Sequence, residues 1–261
     1  MELILELIEQ ENLIFKAGDT GIYLGKVEDN AFHHHYALQL TIGIDDKFVM
    51  ETEEGKLTSD SLIIHPQISH RLDSKGKFVL IFLFNPASTI GHFLAKHLTT
   101  SSVQDFEEEW VNYLRMFAKD LFKNEINEKT FLSACINSMA EFNSRCLLTK
   151  HQMDKRVLAT LQYLDRHARE IIPLKEMAEE MCLSESRFQH IFKEETGISY
   201  RRMQLWKRLL ASFDHLRTTK TLTELAHQSG FSDSSHYSKT FKESFGFSPS
   251  DVFANSHLVL E

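Results

Sequence analysis

One helical unit occurs twice in the sequence, and this repeat limits the folds open to the C-terminal part of the chain. Leu174–Ser199 (LKEMAEEMCLSESRFQHIFKEETGIS) aligns with Leu222–Ser248 (LTELAHQSGFSDSSHYSKTFKESFGFS) at an offset of 48 residues. The offset becomes 49 after one extra residue in the turn of the second copy. Each copy predicts a helix, a tight turn and a second helix, which is the order of a helix-turn-helix motif.

Both second helices have an apolar face and a polar face. Ser184 and Asp233 stand where these helices would be capped, and Gly197 and Gly246 stand where they would end. The polar residues are Glu185, Ser186, Gln189, His190 and Lys193 in the first helix and Ser234, Ser235, Ser238, Lys239 and Lys242 in the second. Such side chains suit base edges and phosphates, so they are predicted to bind double-stranded DNA. A merely solvated face is the alternative, and its repetition on both helices weighs against it.

The block from about residue 173 to 249 resembles the AraC family of bacterial transcription regulators. The resemblance is carried by Leu174–Ala178, Ser184, Phe188, Phe192, Lys193, Gly197, Arg208, Leu225–Ala226 and the tract GFSDSSHYSKTFKESFGFSP. It implies that Ser186, Gln189 and His190 occupy base-reading positions in the first unit. It also implies that Ser234, Ser235, Ser238 and Lys239 occupy the corresponding face of the second. Val252–Phe253 and Met203 depart from the family pattern, which leaves the packing of the C-terminal end open.

The predicted fold class is α+β. Residues 12–86 hold short apolar or alternating runs separated by Gly and Asp turns, which favour a jelly-roll or cupin-like β barrel. We therefore assign residues 1–86 to an effector-sensing barrel, residues 87–150 to a helical linker or dimerisation region, and residues 151–256 to an all-α DNA-binding domain. The two helix-turn-helix units of that domain span residues 174–197 and 222–246.

The middle region is predicted to form the helices Ala87–Leu98, Val103–Phe122 and Glu128–Cys146, and one further helix connects the two helix-turn-helix units. Val103–Phe122 carries an apolar stripe, and in the resembled family helices at this place cover the barrel and dimerise. Packing within one chain is an equally good interpretation. Tyr200–Arg217 predicts a continuous helix of about 27 Å between the two units, which could hold both reading helices in adjacent major grooves.

Histidines dominate the candidate residues of the barrel. His33 and His35 lie on one face of a strand, and His70 from a later strand could join them; with Gln39 they weakly resemble the cupin motifs. The AraC resemblance implies a small-molecule effector here, so these four residues are candidate effector-binding residues and no cofactor is required. If a metal binds at all, His33, His35 and His70 are its candidate ligands. A metal-dependent cupin enzyme fused to a DNA-binding domain is the alternative function, which Gln39 disfavours because a carboxylate would suit catalysis better.

Charge and composition set the expected partners. The net charge is −8, yet residues 152–256 hold 15 basic and 14 acidic side chains, against 14 basic and 23 acidic in the remainder. A nearly neutral reading head gains little from counterion release, which favours a homodimer on DNA. Neither a phosphate-binding glycine loop nor a GxSxG elbow occurs, so catalysis is not expected.

The expected setting is the bacterial cytoplasm, without a membrane partner. The acidic first residues do not form a signal peptide, and no apolar run is long enough to span a bilayer. Cys135, Cys146 and Cys182 form no CxxC pair and are expected to be buried, reduced thiols. The sequence therefore predicts a cytoplasmic transcription regulator that binds specific DNA sequences, responds to a small molecule and acts with the transcription machinery.

Overall fold

A computed structural model describes residues 12–27, 31–97, 101–146, 153–216, 218–246, 248–250 and 256–260. The chain divides into two compact units, one formed by Met1–Leu147 with Phe241–Glu261 and the other by Leu148–Thr240. The division into functional regions at 86/87 and 150/151 remains a prediction. The second of these boundaries, like Val252–Phe253, lies outside the described residues.

Two β-sheets form the framework of the first unit. The strands are β1 (Asn12–Ala17), β2 (Thr20–Gly25), β3 (Leu38–Gly43), β4 (Phe48–Thr52), β5 (Gly55–Ser59), β6 (Ser61–Ile64), β7 (His70–Asp73), β8 (Val79–Phe84), β9 (Val103–Asp105) and β10 (Ser256–Leu260). Seven strands pair in the order β10-β1-β2-β8-β3-β6-β9, and three in the order β5-β4-β7. All pairs are antiparallel except β1 with β10. The α+β class and the double-sheet N-terminal region are confirmed.

Three helices share the core of the larger sheet. They are α1 (Thr89–His97), α2 (Glu109–Phe122) and α3 (Glu128–Cys146). Leu40 and Phe82 of the sheet belong to one buried cluster with Leu114 of α2 and Phe131 of α3, so burial of these apolar side chains joins the two layers.

The predicted helix Val103–Phe122 was wrong over its first residues. Val103 pairs with Ile64, so this segment adds strand β9 to the edge of the seven-stranded sheet. Helix α2 begins only at Glu109, and its buried residues are Val111, Leu114, Ala118 and Leu121. Backbone pairing with β6 therefore overrides the local helical pattern, because the edge of a sheet offers hydrogen bonds that three residues can use at once.

The second compact unit is helical. Its helices are α4 (Lys155–Arg166), α5 (Leu174–Glu180), α6 (Glu185–Thr196), α7 (Tyr200–Phe213), α8 (Leu222–Gln228) and the first part of α9 (Ser234–Phe245). Trp206 of α7 is fully buried, and the rings of Phe188, Phe192 and Tyr200 contact one another at 5.3 to 5.7 Å between centroids. These aromatic contacts fix the first helix-turn-helix unit onto the connecting helix.

The connecting helix is shorter than the sequence predicts. It ends at Phe213 rather than at Arg217, which lies outside the described residues. Its 14 residues rise about 21 Å rather than 27 Å. After Phe213 the amides of Asp214 and His215 bond to carbonyls three residues back, and the tighter turn ends the helix.

The predicted caps of α6 and α9, the second helices of the two helix-turn-helix units, are confirmed. Ser184 Oγ accepts a hydrogen bond from the amide of Arg187 at 3.3 Å, at the start of α6. Asp233 Oδ1 accepts one from the amide of His236 at 2.7 Å, at the start of α9. Both bonds satisfy an amide that has no partner within its helix, so local sequence alone determines where these helices begin.

Glycines end or turn the same two units. Gly197 and Gly246 follow α6 and α9 with φ of 76° and 81°, as predicted for helix ends. Gly230 makes the turn of the second helix-turn-helix unit with φ of 79°, and a Cβ there would lie 2.1 Å from the carbonyl oxygen of Arg169. Only glycine fits this turn, because both the dihedral angle and the close backbone exclude a side chain.

Two observations bear on the predicted setting. Cys135 is buried, but Cys182 is exposed in the turn of the first helix-turn-helix unit, so the expectation of burial was wrong for that thiol. The side chain of Cys146 lies outside the described residues. Within the described part of the chain, no helix combines the length and apolar character needed to cross a membrane. The cytoplasmic location stays a prediction.

Candidate DNA-binding faces and the histidine cluster

Helix α6 presents its predicted polar face to solvent. The exposed residues are Glu185, Ser186, Gln189, His190 and Lys193. The opposite side of the helix is buried through Phe188, Ile191 and Phe192. Because the apolar side is fixed against the unit, this polar face has a defined orientation and is available to a ligand.

Helix α9 repeats this arrangement with a difference in hydrogen bonding. Ser235, Lys239 and Lys242 are exposed, while Ser234 and Ser238 are half-buried. The hydroxyl of Ser238 donates to the carbonyl oxygen of Ser234 at 2.7 Å. The Ser238 hydroxyl therefore already donates within its own helix, and it could donate to a base only if that bond broke.

Two further residues flank these faces and were not predicted. Arg187 and His236 lie 49 residues apart, at equivalent places of α6 and α9, and both are exposed. They stand beside the polar stripe rather than on it, so a search for one face at helical spacing leaves them out. The repeat itself is the signal that could have identified them, since this position holds an arginine in the first copy and a histidine in the second.

A buried arginine supports the turn of the second helix-turn-helix unit. Arg208 of α7 donates through Nη1 to the carbonyl oxygen of Gly230 at 3.2 Å. Its guanidinium carbon lies 5.4 Å from the centre of the Phe231 ring. Burial, with a smaller effect from the charge of Arg201, lowers the pKa of Arg208. These contacts hold the turn before α9 in place.

In the first unit, the structure brings together all four predicted effector residues. His33 and His70 pair across an isolated β-bridge, with backbone hydrogen bonds of 3.0 and 2.9 Å in both directions. Ring centroids lie 4.4 Å apart for His33 and His70, 5.0 Å for His35 and His70, and 5.7 Å for His33 and His35. Gln39 joins them, because its Oε1 lies 2.9 Å from His35 Nε2. We call these four residues the histidine cluster.

Burial controls the charge of the cluster. It lowers the pKa of His33 to about 4, with the charge of His35 adding to the effect. Burial also lowers the pKa of His35, and the nearby oxygens of Gln39 and Ala37 oppose this effect. The pKa of His70 falls well below its usual range because of burial and then because of the charges of His35 and His33. The three imidazoles are therefore neutral near pH 7.

Other features of the first unit are weaker candidates. His65, the residue after β6, is exposed and takes no part in the cluster. A cleft of about 550 Å³ lies along β4, β5 and β7. Its charges neutralise one another, since Arg71 and Lys56 pair with Glu51, and Lys75 pairs with Asp73. The cleft thus lacks the unpaired charge that an ionic ligand would need.

Comparison with known proteins agrees with this arrangement. A profile of the family described as helix-turn-helix domain matches residues 177–255. Over 85% of its length the chain is 24% identical to the probable transcriptional regulator LumQ of Photobacterium leiognathi, of which it covers 91%. Over 39% of its length it is 33% identical to the arabinose operon regulatory protein of Escherichia coli, of which it covers 36%. These matches confirm the resemblance of the C-terminal region to the AraC family of transcription regulators.

Solved structures extend the likeness to both compact units of the chain. An apo variant of ToxT from Vibrio cholerae matches with a TM-score of 0.61 at 12% identity, covering 93% of this chain and 99% of that chain. ToxT with an unsaturated fatty acid bound matches with a TM-score of 0.59 at 13% identity, covering 93% and 96%. At these identities the likeness is one of fold, and it confirms the predicted combination of a double-sheet region with a helix-turn-helix region.

Proposed function

We propose that this chain is an AraC-family regulator that reads a specific DNA sequence with the polar faces of α6 and α9. A small effector bound in the first compact unit would control it. The observation that carries the proposal is the repetition of a polar face, at equivalent positions, on the second helix of both helix-turn-helix units. A solvated surface without a ligand would not need to keep the same face, cap and end in both copies.

The side chains suggest how the labour is divided between bases and phosphates. Gln189 can form two hydrogen bonds with an adenine edge, and Lys239 can bond to guanine. Lys193 and Lys242 lie nearer the ends of their helices and are suited to phosphates. His190, whose Nε2 lies 3.7 Å from Glu194 Oε2, would contact a base or a phosphate once that pair opens.

The spacing of the two units calls for some bending of the DNA. Successive major grooves on one face of a duplex are about 34 Å apart. Helix α7, at about 21 Å, covers part of this distance. The loop after Phe213 and curvature of the operator would supply the remainder, so flexible pyrimidine–purine steps are expected between the two contacted grooves.

We also propose a homodimer formed through α2. Tyr113 and Met116 are 44% and 49% exposed on this helix, and the Tyr113 ring contacts the half-buried Phe117 ring at a tilt of 48°, with 4.6 Å between centroids. An exposed aromatic and methionine pair one turn apart suits a helix–helix contact. A second reading head, held at high effective concentration, would offset the weak charge of one head.

The dimer is tested by sedimentation of the full chain. Tyr113→Glu should shift the protein from dimer to monomer, while Glu109→Gln, at another exposed position of α2, should leave the dimer intact. A wild-type protein that is monomeric at micromolar concentration, or a Tyr113→Glu protein that remains dimeric, would contradict this interface.

Effector control is favoured over catalysis. The relatives named above are transcription regulators, and one solved ToxT carries an unsaturated fatty acid. A cupin enzyme would need a metal with open coordination positions. Gln39 stands beside His35 where such an enzyme would use a carboxylate, so the metal-dependent enzyme remains the weaker alternative.

Site selection tests the reading function. The full chain is used to select binding sites from a pool of random duplexes, and the selected DNA is footprinted. We expect enrichment of one sequence with protection in two successive major grooves. No enrichment above the starting pool, in the presence or absence of divalent metal, would overturn the proposal.

A further inference from the structure

We propose that the histidine cluster binds one divalent transition-metal ion of the zinc class, and that this ion is the effector. The proposal rests on the effector-controlled function above and names the chemical class of the effector. One ring nitrogen from each of His33, His35 and His70 lies within 4.8 Å of the other two. All three side chains are buried, so the site is shielded from solvent.

Hydrogen bonds fix which nitrogen of each ring is available. The Nδ1 atoms of His33, His35 and His70 lie 3.0, 2.9 and 2.8 Å from the carbonyl oxygens of Ala31, Ala37 and Ile68. A carbonyl oxygen can only accept, so each Nδ1 carries the proton. Each neutral ring therefore keeps a lone pair on Nε2. Anchoring of one ring nitrogen on a backbone carbonyl is the usual arrangement of metal-binding histidines.

In the described part of the chain, two of these Nε2 atoms, those of His70 and His35, face no protein donor. Among the described residues, Nε2 of His70 is buried without any hydrogen-bond partner. Nε2 of His35 lies 2.9 Å from Gln39 Oε1, which is also an acceptor, while the Gln39 amide nitrogen donates to Thr41 at 2.9 Å. Two acceptors in contact repel unless a cation binds both. Rotating the Gln39 amide would satisfy His35 but leave His70 unpaired, so a cation explains more of the cluster than an amide rotation does.

The spacing suits a small ion better than an organic molecule. Tetrahedral zinc with bonds of about 2.0 to 2.1 Å places neighbouring ligand atoms about 3.3 Å apart. The 4.8 Å span of the nitrogens therefore needs only a modest contraction, which rotation of the rings can supply. Three imidazoles and an amide oxygen favour zinc, cobalt, nickel or copper over magnesium or calcium, which prefer oxygen ligands. Gln39 would occupy the fourth position, which disfavours catalysis and suits a sensor.

A short chain of hydrogen bonds joins the cluster to the end of α9. His33 Nδ1 donates to the carbonyl of Ala31, and the amide of Ala31 donates to the carbonyl of Gly246 at 3.4 Å. A Cβ on Gly246 would lie 2.5 Å from His33 Nδ1, so the glycine packs directly on the ring. Contraction of the cluster around a metal moves His33, and the residue that ends the second reading helix is the first to respond.

Metal binding is tested with the full chain after treatment with a chelator. Cobalt(II) is titrated in, the visible absorption of four-coordinate cobalt is recorded, and zinc is then added in competition. Wild-type protein should bind one cobalt per chain and release it to zinc. His35→Gln and His70→Gln should each weaken binding about tenfold or more. His34→Gln is the matched control, because His34 is exposed between two cluster residues, and it should bind as the wild type does.

Gln39→Glu separates loss of the site from loss of the fold. A carboxylate in place of the amide should tighten zinc binding, a gain that no misfolded variant can show. Absence of cobalt binding by the wild type, equal weakening in His34→Gln and His35→Gln, or unchanged binding in both His35→Gln and His70→Gln would overturn the metal site.

The effector role is tested with the selected DNA. Zinc should change the affinity of the wild type for its site severalfold and leave His35→Gln unaffected. An affinity that does not respond to zinc, in a protein that binds both zinc and DNA, overturns the effector role while the reading function stands. A protein that binds zinc but selects no DNA overturns the proposed function and leaves the metal site intact.

Discussion

The two reading helices are copies of one unit that end in different surroundings. Helices α6 and α9 have the same length of 12 residues, matching caps and a terminal glycine with positive φ. Among the described residues, none lies within 4 Å of the place where a Cβ on Gly197 would stand, whereas Gly246 packs on His33. The repeat explains how both helices present a polar face. If an effector binds at the histidine cluster as proposed, the residue it lies against ends α9, and α6 has no such contact at Gly197.

Replacing each of the two glycines by alanine should give the largest difference between the two helices, measured in the free energy of unfolding. Gly197→Ala places a side chain in the left-handed region in open space, at a cost of about 1 kcal/mol in the free energy of unfolding. Gly246→Ala adds overlap with the buried His33 ring, which raises the expected cost to about 3 kcal/mol. Urea denaturation of both variants measures the difference. Equal destabilisation would show that contact with His33 does not distinguish the two ends.

Loss of base contacts should come next. Gln189→Ala in α6 and Lys239→Ala in α9 should each weaken binding to the selected site by about 1–3 kcal/mol and relax specificity at one base position. Titration with the selected duplex and with single-base variants of it measures both effects. If only the α6 variant changes affinity, then α9 does not read bases and the equivalence of the two faces fails.

Phosphate contacts should have a smaller and less selective effect. Lys193→Ala and Lys242→Ala should each reduce the salt slope of binding by about 1 and lower affinity alike for all sequences, by about 1 kcal/mol at physiological salt. Affinities at several salt concentrations, for the selected and a scrambled duplex, give the slope. A loss confined to the selected duplex would instead assign these lysines to base edges.

The smallest effect is expected at Ser238. Its hydroxyl already donates to the backbone of Ser234, so Ser238→Ala should change DNA affinity by less than about 0.5 kcal/mol. Ser235→Ala, at an exposed position of the same helix, is the comparison. A loss above 1 kcal/mol for Ser238→Ala would mean that the hydroxyl turns from its own helix to the DNA.

Local features of the reading helices could be predicted from sequence because they depend on neighbouring residues. Ser184 and Asp233 cap amides three residues away, and Gly197 and Gly246 end helices through their own dihedral angles. The polar faces followed from helical spacing alone, and the exposure of every predicted residue except the half-buried Ser234 and Ser238 agrees with it. Their contact with DNA remains a prediction.

Features that depend on distant partners could not be predicted in the same way. Val103 continues a helical pattern but pairs with Ile64, and that choice is made by the sheet edge. The spacing of His33 and His35 placed both on one side, yet only the bridge between His33 and His70 shows that three rings converge. Contact of Gly246 with His33 joins segments more than 200 residues apart in the sequence, which no local pattern can reveal.

Footprinting of the full chain on its selected DNA tests the central claim most directly. If α6 and α9 both read DNA, hydroxyl-radical and methylation footprints should show two protected major-groove segments about one helical turn apart for each chain. Gln189→Ala should remove one of these segments, and Lys239→Ala should remove the other. A single protected groove, or one groove lost in both variants, would contradict reading by two equivalent faces.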